Sequence, residues 1–162
     1  MQTERSEEEI EYSIHPPSPF ITKSWQALLP DWATPVLSVL VMLQRSPVML
    51  CQSSSVANVM KQCLRNRSIQ LISPLVEKLH MHQYNATLFD PRTGLPYRSG
   101  SSGIPLNDVA VVHAVLGYTR YQYGQCHCLV HPFWGSNVYP TIMLASTTPS
   151  TLKKLASTIL NR

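Results

Sequence analysis

The spacing of apolar and polar positions changes character several times along the chain. Residues 1–19 hold few apolar positions, and the "HPPSP" stretch at 15–19 is incompatible with a helix. They read as an acidic, Pro-rich, disordered tail ahead of a single globular domain over 20–162. "FITKSWQALLP" predicts a short helix ended by Pro30, with Trp25, Leu28, Leu29 and Trp32 as core anchors. Thr34-Pro35 has the form of a helix start, and the nearly all-apolar "PVLSVLVML" predicts a central helix over 35–45.

In 53–67 the positions Val56, Val59, Met60, Cys63 and Leu64 recur at the 3.6-residue period behind a serine cap, which predicts an amphipathic helix. "SIQLIS" at 68–73 is strand-like, and Ser73-Pro74 predicts a fresh helix over 74–83. The Gly- and Pro-rich segment 84–107 contains the turn signature "DPRTG" and reads as a long loop. A capped helix is expected over 107–123, closed by Gly124. The apolar runs 126–134 and 138–146, joined by Gly135-Ser136-Asn137, predict a hairpin. Thr148-Pro149 then starts a C-terminal helix. Strands that fall late in the chain favour an α+β fold: about five helices packed on a small, mostly antiparallel sheet.

Charge sharpens this picture. The first eleven residues hold five acids (Glu4, Glu7, Glu8, Glu9, Glu11) against Arg5, while the remainder sets twelve Lys and Arg against Asp31, Glu77, Asp90 and Asp108. A basic body attracts anionic partners, nucleic acid slightly ahead of an acidic protein face, and an acidic tail would compete for the same surface. Charged residues make up 14% of the chain, below the usual quarter, which leaves a neutral surface prone to self-association. The longest apolar run is shorter than the roughly twenty residues a membrane span needs. The start lacks a secretory pattern, and the cysteines show no disulfide-framework spacing. These features predict a cytoplasmic protein with no membrane partner.

The candidate chemistry is sparse. On the 53–67 helix Asn58, Lys61, Arg65 and Arg67 lie off the apolar stripe. With the helix expected over 35–45 they suggest a loose helix-turn-helix unit reading phosphates and base edges. Arg92 and Arg98, set among glycines and serines, are further anion-binding candidates, although the plainer reading of that segment is a mobile loop.

"GQCHCLVHPFWG" at 124–135 holds the other constellation. In a strand Cys126 and Cys128 share a face, and with His80 and His82 they would supply four zinc ligands on paper. Yet the spacing is unusual for zinc, and on a helix His80 and His82 diverge. Thiol catalysis would need Cys126 or Cys128 beside His131, His113 or His82. A core strand with one face of structural, metal-free sulfur fits better. The sequence therefore predicts a non-catalytic binding or regulatory protein without a cofactor. The alternative is a small Cys/His-dependent enzyme or zinc-binding protein using the 126–131 strand.

Overall fold

The computed structural model describes residues 9–98 and 103–161. In chain order the elements are β1 (Ile10–His15), α1 (Pro19–Leu28), β2 (Ser38–Arg45), α2 (Ser55–Met81), β3 (Ala86–Leu88), α3 (Asp108–Leu116), β4 (Arg120–Tyr123), β5 (Cys126–Leu129), β6 (Val138–Ala145) and α4 (Pro149–Leu160). The fold is mixed α+β, with four helices among the described residues. Its frame is an antiparallel sheet in the order β1-β2-β6-β3, accompanied by the separate β4–β5 hairpin.

Both faces of the sheet are covered. Val39, Val41 and Leu43 of β2, with Ile142 and Leu144 of β6, face a core completed by Ile21 and Leu28 of α1 and Val109 and Val112 of α3. Leu40, Met42, Met143 and Ala145 face the opposite core, closed by Ile72, Leu75 and Leu79 of α2 and Leu152 and Ala156 of α4.

That double burial corrects the helix expected over 35–45. A strand buried on both faces loses the polar half of its alternation and becomes a continuous apolar run, which periodicity alone cannot separate from a buried helix. β2 is such a strand, with every residue from Ser38 to Gln44 buried. The helix pair required for a helix-turn-helix unit is consequently absent among the described residues.

The two helices and strand expected over 53–83 are one helix. Leu64, Ser68, Ile72, Leu75 and Leu79 are buried at intervals of three and four residues straight through Pro74. A proline inside a helix costs about 3 kcal/mol, but Ile72, Leu75 and Leu79 on either side are fully buried, and their burial offsets it at roughly 1.5–3 kcal/mol each.

The helix expected over 107–123 stops earlier. Gly117 takes up φ 72°, a left-handed conformation open to glycine, and its N–H donates to the His113 carbonyl. The chain then enters β4, and a two-residue turn with Gly124 at φ 60° folds it onto β5. So β5 pairs with β4, whereas β6 joins the main sheet; the hairpin expected between 126–134 and 138–146 does not form.

Residues 1–8 lie outside the described residues, but the rest of the expected tail is structured. β1 pairs along its whole length with β2. The carboxylate of Glu9 pairs with Arg45, and that of Glu11 accepts from Nε2 of the buried His131 at 2.9 Å. These two acids are engaged by the body of the fold, Glu9 on Arg45 and Glu11 on His131. No described helix is long and apolar enough to cross a membrane.

Candidate functional site

β3 pairs only with Met143–Ala145, so the first half of β6 lacks a strand on that side. Pro140, which has no N–H to donate, sits in this uncovered half. A cleft of about 570 Å³ lies against it, within the size range of ligand pockets. Its floor includes Tyr139 and Pro140. The first half of α2 lines it with Asn58, Lys61 and Arg65, the turn after β3 with Arg92, the start of α3 with Asp108, and β5 with Cys126 and Cys128.

Four of the six anion-binding candidates therefore share one cavity, though they come from separate parts of the chain. Lys61 and Arg92 make no salt bridge among the described residues. Arg65 has a different task. Its guanidinium donates through Nε and Nη2 to the two carboxylate oxygens of Asp90, each at 2.7 Å, and this pair is largely buried. Asp90 in turn organises "DPRTG": Oδ1 accepts from the Arg92 N–H at 3.0 Å, and its carbonyl accepts from the N–H groups of Thr93 and Gly94. The Arg65 guanidinium holds the Asp90 carboxyl below the usual carboxylate range. Arg65 thus positions the turn that carries Arg92.

The other two candidates sit elsewhere. Arg67 lines a groove between α2 and α4. Arg98, at φ 60°, places its guanidinium 5.2 Å from the centroid of the Tyr97 ring, beside a different cavity. The expected loop is tight in its described part: Tyr97 N–H donates to the Leu88 carbonyl, and Phe89 bridges to Pro96. The segment 99–102 lies outside the described residues.

Two groups that the sequence did not single out complete the cleft. Burial raises the Asp108 carboxyl to about 7, even though N–H donation, including that from Val109 at 2.7 Å, pulls the other way. Burial also pushes the Tyr139 phenol up from its ordinary value.

The sulfur arrangement differs from the expectation of free thiols. Cys128, nearly inaccessible on β5, is disulfide-bonded to Cys51 in the loop after β2, with 6.2 Å between their Cα atoms. Cys126 remains a thiol, its Sγ 4.0 Å from that of Cys128. All three sulfurs lie within 4.8 Å of one another. The pairing joins residues 77 apart, which no local spacing reports.

The four-ligand zinc set is corrected as well. Among the described residues the only grouping of this kind consists of Cys51, Cys126 and Cys128. His80 Nε2 is bonded to the Ala86 carbonyl at 2.9 Å beside another cavity, and His82 caps α2. His131 is not placed as a base for either cysteine. Its Nδ1 accepts from the N–H groups of Phe133 and Trp134 at 3.0 and 3.1 Å, its Nε2 meets Glu11, and its ring stacks on Trp134 at 4.0 Å.

Fold and site together define an α+β domain with a cysteine-bearing basic cleft at an open sheet edge. The chain matches no known family and no curated protein.

Proposed function

We propose that this is a non-catalytic binding protein whose cleft engages an anionic partner, with nucleic-acid phosphates favoured over an acidic protein face. The observation that carries the reading is the convergence of Asn58, Lys61 and Arg92 on one cavity, with Arg92 held in place through Arg65 and Asp90. An amide and a guanidinium beside an ammonium offer the donors used on phosphate oxygens. A cavity of about 570 Å³ is on the scale of a small ligand, so the probe of choice for a test is a single strand, whose bases and phosphates can enter it.

Fluorescence anisotropy of a labelled single-stranded oligonucleotide tests this. Replacing Lys61 and Arg92 together by Ala should weaken binding at least tenfold. It should also flatten the logarithmic salt slope by about 1.4, the value for two lost phosphate contacts on a single strand. Arg67→Ala and Arg98→Ala, outside the cleft, should bind like the parent. A parent protein that fails to bind the oligonucleotide at low salt overturns the reading; capture of polyglutamate alone would transfer it to an acidic protein partner.

The same assay should depend on pH. Deprotonation of Asp108 near pH 7 places a negative charge in the cleft, so affinity should rise as pH falls through 7. Asp108→Asn should remove that step. An unchanged pH profile in this variant would show that Asp108 does not face the bound anion.

A further inference from the structure

Anion binding at the cleft would use its cations and leave its sulfurs without a role. Three cysteines from two distant segments meet at one wall: Cys51 from the loop before α2, Cys126 and Cys128 from one face of β5. They line an open cavity, and Cys126 is partly accessible from it. A purely structural bridge needs two sulfurs; the third, 4.0 Å from Cys128, is unexplained by it.

We propose that, once the Cys51–Cys128 disulfide is reduced, Cys51, Cys126 and Cys128 form a three-thiolate site for a thiophilic d¹⁰ cation of the zinc class, with the fourth coordination position open to the cleft. Geometry supports it first. Zinc–sulfur bonds of about 2.3 Å place the sulfurs of one site about 3.8–4.0 Å apart. Cys126 and Cys128 already stand at 4.0 Å. Cys51 lies within 4.8 Å of both, and once the bridge is open its side chain needs only a rotation to take its place at the third vertex.

Electrostatics supports it second. Zinc with three thiolates carries a net charge of about −1, and Lys61 and Arg92 line the same cavity. Donor chemistry supports it third, because thiolate sets select zinc and similar soft or borderline cations over hard ones.

The steps balance. A dithiol reductant delivers two electrons and two protons to the disulfide, giving the thiols of Cys51 and Cys128, and leaves as its own disulfide. Zinc then forms three Zn–S bonds and displaces three thiol protons to solvent. A disulfide oxidant that takes up the two electrons and leaves as its own dithiol would re-form the Cys51–Cys128 bridge, return a solvent proton to Cys126 and expel the metal, so occupancy follows the redox state.

The proposal stands apart from oligonucleotide binding, and failure of either leaves the other intact. The full chain, reduced with a phosphine and desalted without oxygen, is titrated with Zn²⁺ against a chromophoric chelator, and with Cd²⁺ for its ultraviolet thiolate charge-transfer absorption. The expected result is one zinc per chain, a cadmium band, proton release and a higher melting temperature than the metal-free reduced protein. The unreduced protein should take up none. Cys126→Ser keeps the residues of the disulfide and should bind about a hundredfold more weakly or worse. Cys63→Ser, exposed and outside the cluster, should match the parent. Should the reduced parent lose structure, recovery of its circular dichroism on adding zinc, absent in Cys126→Ser, supports the site. Substoichiometric zinc in the reduced parent, or equal affinity in Cys126→Ser, overturns it.

Discussion

Replacing Asp90 by alanine is expected to cost about 3 kcal/mol of stability and to weaken anion binding in the cleft at the same time. The mechanism is an orphaned charge. The Arg65 and Asp90 side chains are 17% and 11% exposed, so removing the carboxylate strands a guanidinium that water reaches poorly. The turn also loses the acceptor for the Arg92 N–H. Urea denaturation monitored by circular dichroism measures the first effect and anisotropy the second. A loss below about 0.5 kcal/mol would mean that the pair is solvated and the turn self-sufficient.

The same ion pair gives a pH signature. A carboxyl whose folded value is depressed contributes fully above its unfolded value, near 4, and its contribution is lost as pH falls below that range. Asp108 acts with the opposite sign. Its folded value of about 7 lies above the unfolded one, so its contribution to stability is present at low pH and falls as pH rises from about 4 to about 7.

Reduction of the Cys51–Cys128 disulfide is the second large effect. The bridge closes a loop across a sequence separation of 77, for which the loss of unfolded-chain entropy corresponds to about 4.5 kcal/mol in the loop-closure account. Native bridges usually deliver roughly 2–4 kcal/mol of this. Denaturation midpoints with and without a phosphine reductant, in metal-free buffer, should differ accordingly. Cys128→Ser should lose at least as much, because it also leaves a hydroxyl in a nearly inaccessible slot. Equal midpoints would show that the two sulfurs are not joined in solution.

Local features of the fold were legible in the sequence. Ser54, Asn107 and Thr148 do cap helices, each accepting an N–H from three residues further on. These signals depend on a few neighbouring residues. The misread elements depend on distant ones. β2 looks helical because α1 and α3 cover one of its faces and α2 and α4 the other. Pro74 looks like a helix start because the burial that carries α2 past it comes from the sheet. β1 looks like a tail because its partner lies about thirty residues away.

The candidate site divides in the same way. Side-chain type marked Asn58, Lys61, Arg65 and Arg92, yet only the folding of the turn onto β3 brings Arg92 to α2. "CHC" drew attention to Cys126 and Cys128, whereas Cys51 had no local signal. Asp108 was hidden because its behaviour comes from burial, which a helix-start aspartate does not announce.

The pairing of β2 with β6 has a consequence for how the chain is made. Ser38 aligns with Ala145 and Arg45 with Val138, so the central contact of the sheet spans roughly a hundred residues. During synthesis at about 5–20 residues per second, β2 waits roughly 5–20 s for its partner, with one edge unpaired and its apolar faces only partly covered by α1 and α2. Folding dominated by such non-local pairing is slow, and the waiting strand is a template for pairing between chains. The nascent polypeptide should therefore depend on holding chaperones over that interval more than a helical protein of the same length.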